Sequence, residues 1–120
     1  MQGLHLCADL RGCDPAAALM TDCAALRNLC VDAVAQAGLQ AVAECFHAFQ
    51  PQGSGITGVV LLAESHLAVH TWPEQGAVTL DVYVCNFGAD NSAKAQALLQ
   101  QLQAAFAPKQ AQLQALERGG

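Results

Sequence analysis

A chain of 120 residues with 53% hydrophobic composition can enclose one core and has no room for a second, so a single domain over 1–120 is expected. Five basic residues against ten acidic ones give a formal net charge of -5, with no Lys/Arg cluster for a phosphate backbone, so no nucleic-acid partner is expected. The apolar runs are too short to span a bilayer, and MQGLHLCADL lacks the basic region and long apolar run of a secretory signal.

A cytoplasmic protein is therefore expected, with no membrane partner. Its six cysteines, Cys7, Cys13, Cys23, Cys30, Cys45 and Cys85, read as reduced thiols rather than a disulfide framework. No C-x-x-C pair is present to suggest zinc or redox chemistry.

Residues 3–10 alternate Leu4, Leu6, Ala8 and Leu10 with His5, Cys7 and Asp9, the period of a strand with one buried face. Gly12, Asp14 and Pro15 end it. From an N-cap at Thr21 or Asp22, the spacing of Leu26, Leu29, Cys30, Ala33, Val34 and Ala37 predicts an amphipathic helix closed by Gly38. Cys23 and Cys30, seven apart on one helix face, read as small buried hydrophobes.

Residues 39–50 read as a strand, followed by the loop PQGSG and a buried strand TGVVLLAE. A further strand, HLAVHTW, stops at Pro73, and the turn PEQG leads into AVTLDVYV, which delivers Cys85 at its end. Asp90 or Asn91 can cap a second helix whose apolar face holds Ala95, Leu98, Leu99, Leu102, Ala105 and Phe106, ending before Pro108. The tail AQLQALE adds a short edge strand.

Two such helices and five or six strands predict an α+β fold, a two-layer α/β sandwich in which both helices cover one face of an antiparallel-rich sheet. The other face, expected to be mostly apolar, needs a partner, so a homodimer packed sheet to sheet is expected.

Several short patterns invite chemistry. GSGITG at 53–58 satisfies the dinucleotide fingerprint literally, but a strand follows it where that fingerprint needs a helix, so it reads as a loop. His66 and His70 share a face whether the segment is helix or strand, yet positions four apart on a strand are too distant to hold one small ion, and no metal site is expected there. Ser65 and His70 are close enough in sequence for local proton transfer, although the G-x-S-x-G elbow of a hydrolase is missing. Cys85 is the one cysteine placed to act as an acid or nucleophile, with Asn86, Phe87 and Gly88 forming a pocket loop beside it.

GVVLLAESHLAVHTWPEQG followed by LDVYVC, with ADLRGCD and FHAFQPQG before it, closely resembles the prokaryotic S-adenosylmethionine decarboxylases over nearly the whole chain, and AESHLAVHTWPE is the specific centre of the match. The resemblance implies self-cleavage of the Glu64–Ser65 bond into chains 1–64 and 65–120. Attack of the Ser65 hydroxyl on the Glu64 carbonyl converts the amide to an ester. Loss of the Ser65 α-proton then expels the Glu64 carboxylate, and hydrolysis of the resulting imine releases ammonia and leaves a pyruvoyl group.

That group is the implied cofactor, replacing pyridoxal phosphate in the decarboxylation of an amine substrate. By the same resemblance His70 assists the elimination, Thr57 stands where the family has a processing serine, and Cys85 is the acid that protonates the product carbon. Glu74 matches the residue that holds ribose hydroxyls, and Phe49 and Trp72 could sandwich an adenine. The implied fold is an α/β sandwich dimer with the active site near the interface.

Departures lie in QGLHL, where many members have Gly-Arg-His, and in NFGADN after Cys85. Relatives with this fold act on arginine or ornithine, so these amino acids are the alternative substrates. Retention of Phe49, Trp72 and Glu74 favours the nucleoside, whose product is the aminopropyl donor for spermidine synthesis. A non-catalytic partner subunit is a third reading, opposed by the intact Ser65, His70 and Cys85.

Overall fold

The computed structural model describes residues 2–86 and 88–119. Its elements follow the order β1 (Gln2–Arg11), α1 (Ala18–Thr21), α2 (Cys23–Gln36), β2 (Ala41–Ala48), β3 (Ile56–Leu62), β4 (Ser65–Trp72), a single 3-10 turn (Pro73–Gln75), β5 (Ala77–Cys85), α3 (Ser92–Phe106) and β6 (Gln110–Gly119). The strands form one six-stranded sheet in the order β2-β3-β4-β5-β1-β6, with every neighbouring pair antiparallel.

The expected sandwich is present, and the period-two alternation explains it. Leu6, Ala8 and Leu10 of β1, Val60 of β3, Leu67 and Val69 of β4 and Val78, Leu80, Val82 and Val84 of β5 all bury on one face. Leu26, Cys30, Ala33 and Val34 of α2 and Ala95, Leu98, Leu99, Leu102 and Phe106 of α3 join the same core. Ala105, expected on that face, is exposed. Asp22 caps α2 as predicted, its carboxylate accepting from the backbone N–H of Ala24 at 3.0 Å and of Ala25 at 3.2 Å. Cys30 is fully enclosed, and burial pushes its thiol up to about 12, as befits a core hydrophobe.

Three features depart from expectation. The single turn α1 precedes α2 and sends Met20 into the core. β6 is a full ten-residue edge strand, although every residue of it is exposed, because β1 offers its whole length for pairing. The sheet face away from the helices is not mostly apolar. It is mixed: the registers place His5, Cys7, Asp9, His66, His70, Thr79, Asp81 and Tyr83 on it together with Val59, Leu61, Ala68 and Leu116, since all of these alternate with the buried set.

Strand limits also differ in a way that matters for chemistry. β3 ends at Leu62, which pairs with Ser65, so Ala63 and Glu64 form a two-residue hairpin turn and Ser65 is the first residue of β4 rather than a loop residue. Glu64 takes φ +57, a left-handed conformation that costs a residue with a Cβ about 1 kcal/mol. GSGITG forms a turn and the start of β3, as its loop reading required. Gly55 is needed there because a Cβ would meet the Thr71 carbonyl oxygen at 2.0 Å.

Thr71, 3% exposed, fastens this corner. Its hydroxyl donates to the Met20 carbonyl at 2.8 Å and accepts from the Ile56 N–H at 2.9 Å. Thr71→Val keeps the shape and strands both backbone groups, so it should cost about 2 kcal/mol and lower the thermal midpoint by roughly 6–10 °C. Calorimetry checks this, and an unchanged midpoint would show that these bonds do not hold the corner.

Candidate active site

Ser65 begins β4 and Cys85 ends β5; because the strands run antiparallel, the two residues meet at one end of the sheet. The Cys85 backbone N–H donates to the Ser65 hydroxyl oxygen at 3.1 Å. The Cys85 residue is 9% exposed, so its thiol sits in a largely water-excluded corner.

Two asparagines that sequence reasoning treated only as loop and cap residues hold this corner. The Asn91 side-chain amide donates to the Cys85 carbonyl at 2.8 Å, and the Asn91 backbone N–H donates to the Asn86 side-chain oxygen at 2.8 Å. Asn86 in turn donates its N–H to the Gln2 carbonyl at 2.7 Å. The available signal was the spacing of two Asn residues around a glycine-containing turn, since Asn side chains habitually bond nearby backbone. Asn91 stands at the N-cap of α3 without a side-chain cap bond; Asp90 serves there instead, accepting from the Ser92 N–H at 2.9 Å, and the bonds from Ser92 hold the Asp90 carboxyl below its ordinary range. Phe87, expected in the pocket loop, lies outside the described residues.

The remaining predicted residues gather elsewhere. Thr57 pairs with His70 across β3 and β4, and its hydroxyl lies 3.0 Å from His70 Nδ1. The His70 ring stacks on Trp72, with centroids 5.7 Å apart and planes 28° apart. Phe49, Thr57, His70, Trp72 and Glu74 line one groove of about 460 Å³, together with Gln50, Ser54, Gly55 and Thr71. Phe49 is 49% and Trp72 37% exposed, so both rings offer apolar surface to a flat ligand, and the exposed Glu74 adds a carboxylate.

The structure thus assembles the predicted residues in two sets and does not join them within one chain. Ser65 and His70 are five positions apart on the extended strand β4, a separation of roughly 16 Å at ~3.3 Å per residue. Local proton transfer between them, which their closeness in sequence suggested, is therefore ruled out within a protomer of this geometry. His66 and His70 are likewise separated along β4: the His66 ring lies against Tyr83 and His5, whereas the His70 ring lies against Trp72.

Residues 4–119 match the profile of the family described as S-adenosylmethionine decarboxylase. The chain belongs to that family. It is 41% identical over 117 residues to the S-adenosylmethionine decarboxylase proenzyme of Aquifex aeolicus (strain VF5), covering 98% of this chain and 81% of that protein. It is 37% identical over 105 residues to the S-adenosylmethionine decarboxylase proenzyme of Pyrococcus horikoshii, covering 88% of this chain and 73% of that one. A crystal structure of the adenosylmethionine decarboxylase from Aquifex aeolicus VF5 superimposes with a TM-score of 0.86 at 39% identity, covering 98% of this chain and 91% of the other.

Family membership bears out the resemblance carried by AESHLAVHTWPE and the sandwich expected with it. It makes the chain a pyruvoyl-dependent carboxy-lyase of S-adenosylmethionine, in preference to the arginine or ornithine alternative. Among the described residues no helix is long and apolar enough to cross a membrane.

Proposed function

We propose that the chain is made as a proenzyme, cuts itself between Glu64 and Ser65 into residues 1–64 and 65–120, and decarboxylates S-adenosylmethionine to the aminopropyl donor for spermidine synthesis through a pyruvoyl group derived from Ser65. The observation that carries the reading is the hairpin at the cleavage point: Glu64 is held at φ +57, and the Ser65 hydroxyl next to its carbonyl is positioned by the Cys85 N–H.

This arrangement fits the formation of the group. A strained turn favours rearrangement of the backbone at residue 64, and the hydroxyl oxygen of Ser65 keeps a lone pair available for the adjacent carbonyl carbon while it accepts from Cys85. A pyruvoyl group at residue 65 would supply the carbonyl for the substrate amine and the electron sink for loss of carbon dioxide. Cys85, held at the end of β5 by the Asn91 side chain on its carbonyl, supplies the proton that the product carbon needs. The groove bearing Phe49 and Trp72 takes the adenine and Glu74 holds the ribose hydroxyls, with a negative charge suited to a sulfonium cation.

The two halves of the site meet in a homodimer. Face-to-face packing of two sheets about a two-fold axis sets one end of a sheet against the opposite end of its partner, so His70 and the groove of one copy can approach Ser65 and Cys85 of the other. The mixed polar character of the uncovered face supports a shared catalytic interface better than a purely structural one, because His70 and the groove beside it have chemistry to offer once water is excluded.

Carbon dioxide release by the purified protein is the direct test of substrate. Carboxyl-labelled S-adenosylmethionine should release label, and equal concentrations of labelled arginine and ornithine should not. Turnover of an amino acid alone would overturn the substrate assignment.

A further inference from the structure

We propose that the sheet face turned away from the helices, which packs against the second copy in the proposed dimer, carries a site for one divalent metal ion of the zinc type, built by His5, Cys7 and Asp81. These residues lie outside the catalytic sets described above. His5 and Cys7 are alternate residues on the same face of β1, and Asp81 of β5 is the direct cross-strand partner of Cys7.

The geometry is close to that of a bound ion. His5 Nε2 lies 3.2 Å from Asp81 Oδ1, and the imidazole nitrogen, the thiol sulfur and a carboxylate oxygen all lie within 4.8 Å of one another. Zinc bonds of about 2.0–2.3 Å in a tetrahedron set ligand atoms roughly 3.3–3.8 Å apart, so small side-chain rotations suffice. The three groups are half-buried and stand on adjacent, hydrogen-bonded strands, which fixes their spacing before an ion arrives. One thiolate, one imidazole and one carboxylate suit zinc and cobalt better than magnesium or calcium, and three protein ligands leave a fourth position open. The His66 ring, 6.3 Å from that of His5, is a nearby nitrogen donor.

The neighbours fix the proton balance. Without an ion, burial and then the neighbouring Asp81 carboxylate push the Cys7 thiol up, which favours the form that carries a proton. Coordination exchanges that proton for the metal, releasing one proton per ion and leaving thiolate and carboxylate to balance the two positive charges. Arg118 opposes binding: its Nη1 lies 3.2 Å from His5 Nδ1, and when Nε2 coordinates a metal, Nδ1 carries hydrogen and two donors face each other. Arg118 reaches this face from the edge strand β6 and also lies over the Tyr83 ring at 5.8 Å, so it can swing aside at a cost. Asp9 is the other carboxylate whose charge reaches Cys7.

Cobalt titration of protein stripped with a chelator and kept reduced by a phosphine tests the site. One cobalt per chain should bind with a thiolate charge-transfer band that zinc abolishes, equally in the intact protein and in Ser65→Ala, so the result does not depend on self-cleavage. Cys7→Ser should remove the band, Asp81→Asn should weaken binding roughly tenfold or more, and Arg118→Ala should tighten it. Absence of a stoichiometric band, or a band that survives Cys7→Ser and disappears in Cys45→Ser, would overturn the proposal.

Discussion

Co-expression of Ser65→Ala with His70→Ala should restore self-cleavage to one chain of the pair and only one. Alone, Ser65→Ala has no hydroxyl to attack Glu64, and His70→Ala has no imidazole to assist elimination, so each should remain a single chain. In a mixed dimer, the intact Ser65 of the His70→Ala chain faces the intact His70 of the Ser65→Ala chain. The His70→Ala chain is therefore cut and the Ser65→Ala chain is not, which differently tagged chains resolve by mass. This follows from the roughly 16 Å that five extended residues place between Ser65 and His70. If His70 acted within its own chain, neither product would appear, and rapid cutting of His70→Ala alone would remove His70 from the processing step.

A second large effect separates processing from catalysis. Cys85→Ala should still cleave, because the contact that positions the Ser65 hydroxyl comes from the Cys85 backbone N–H and survives loss of the thiol. The same variant should lose about 10²- to 10⁴-fold in the rate of carbon dioxide release, the range for removal of a positioned proton donor. Stopped mass analysis for cleavage and a labelled-carbon assay for turnover give the two readouts from one preparation. Full activity in the cleaved variant would assign the proton donation to another group, whereas an uncleaved Cys85→Ala would mean that the thiol itself takes part in processing.

Much of the fold is legible in residue spacing. The alternation of Leu4, Leu6, Ala8 and Leu10 with His5, Cys7 and Asp9 specifies both the strand and its buried face. Asp22 marks the start of α2 because its side chain can satisfy N–H groups that the helix leaves open. The tail was harder: QAQLQALE has few strongly strand-forming residues, and the full length of β6 is set by ten cross-strand partners in β1.

The candidate site was legible in identity and illegible in arrangement. AESHLAVHTWPE names the residues, yet nearness in sequence gives the wrong impression of nearness in space once the segment is a strand. The mixed character of the uncovered face was equally available in the alternation, because strand residues that are not buried beneath the helices point the other way. Asn86 and Asn91 were missed because a single Asn bonds nearby backbone in many loops, and only the register of β5 against β1 brings Gln2 to Asn86.

Intact-mass analysis of the freshly purified chain, beside Ser65→Ala, shows whether the chain cuts itself. Two fragments divided between Glu64 and Ser65 are expected, the second opening with a pyruvoyl group, with one undivided chain in the variant. A single uncleaved chain in both preparations would contradict self-cleavage.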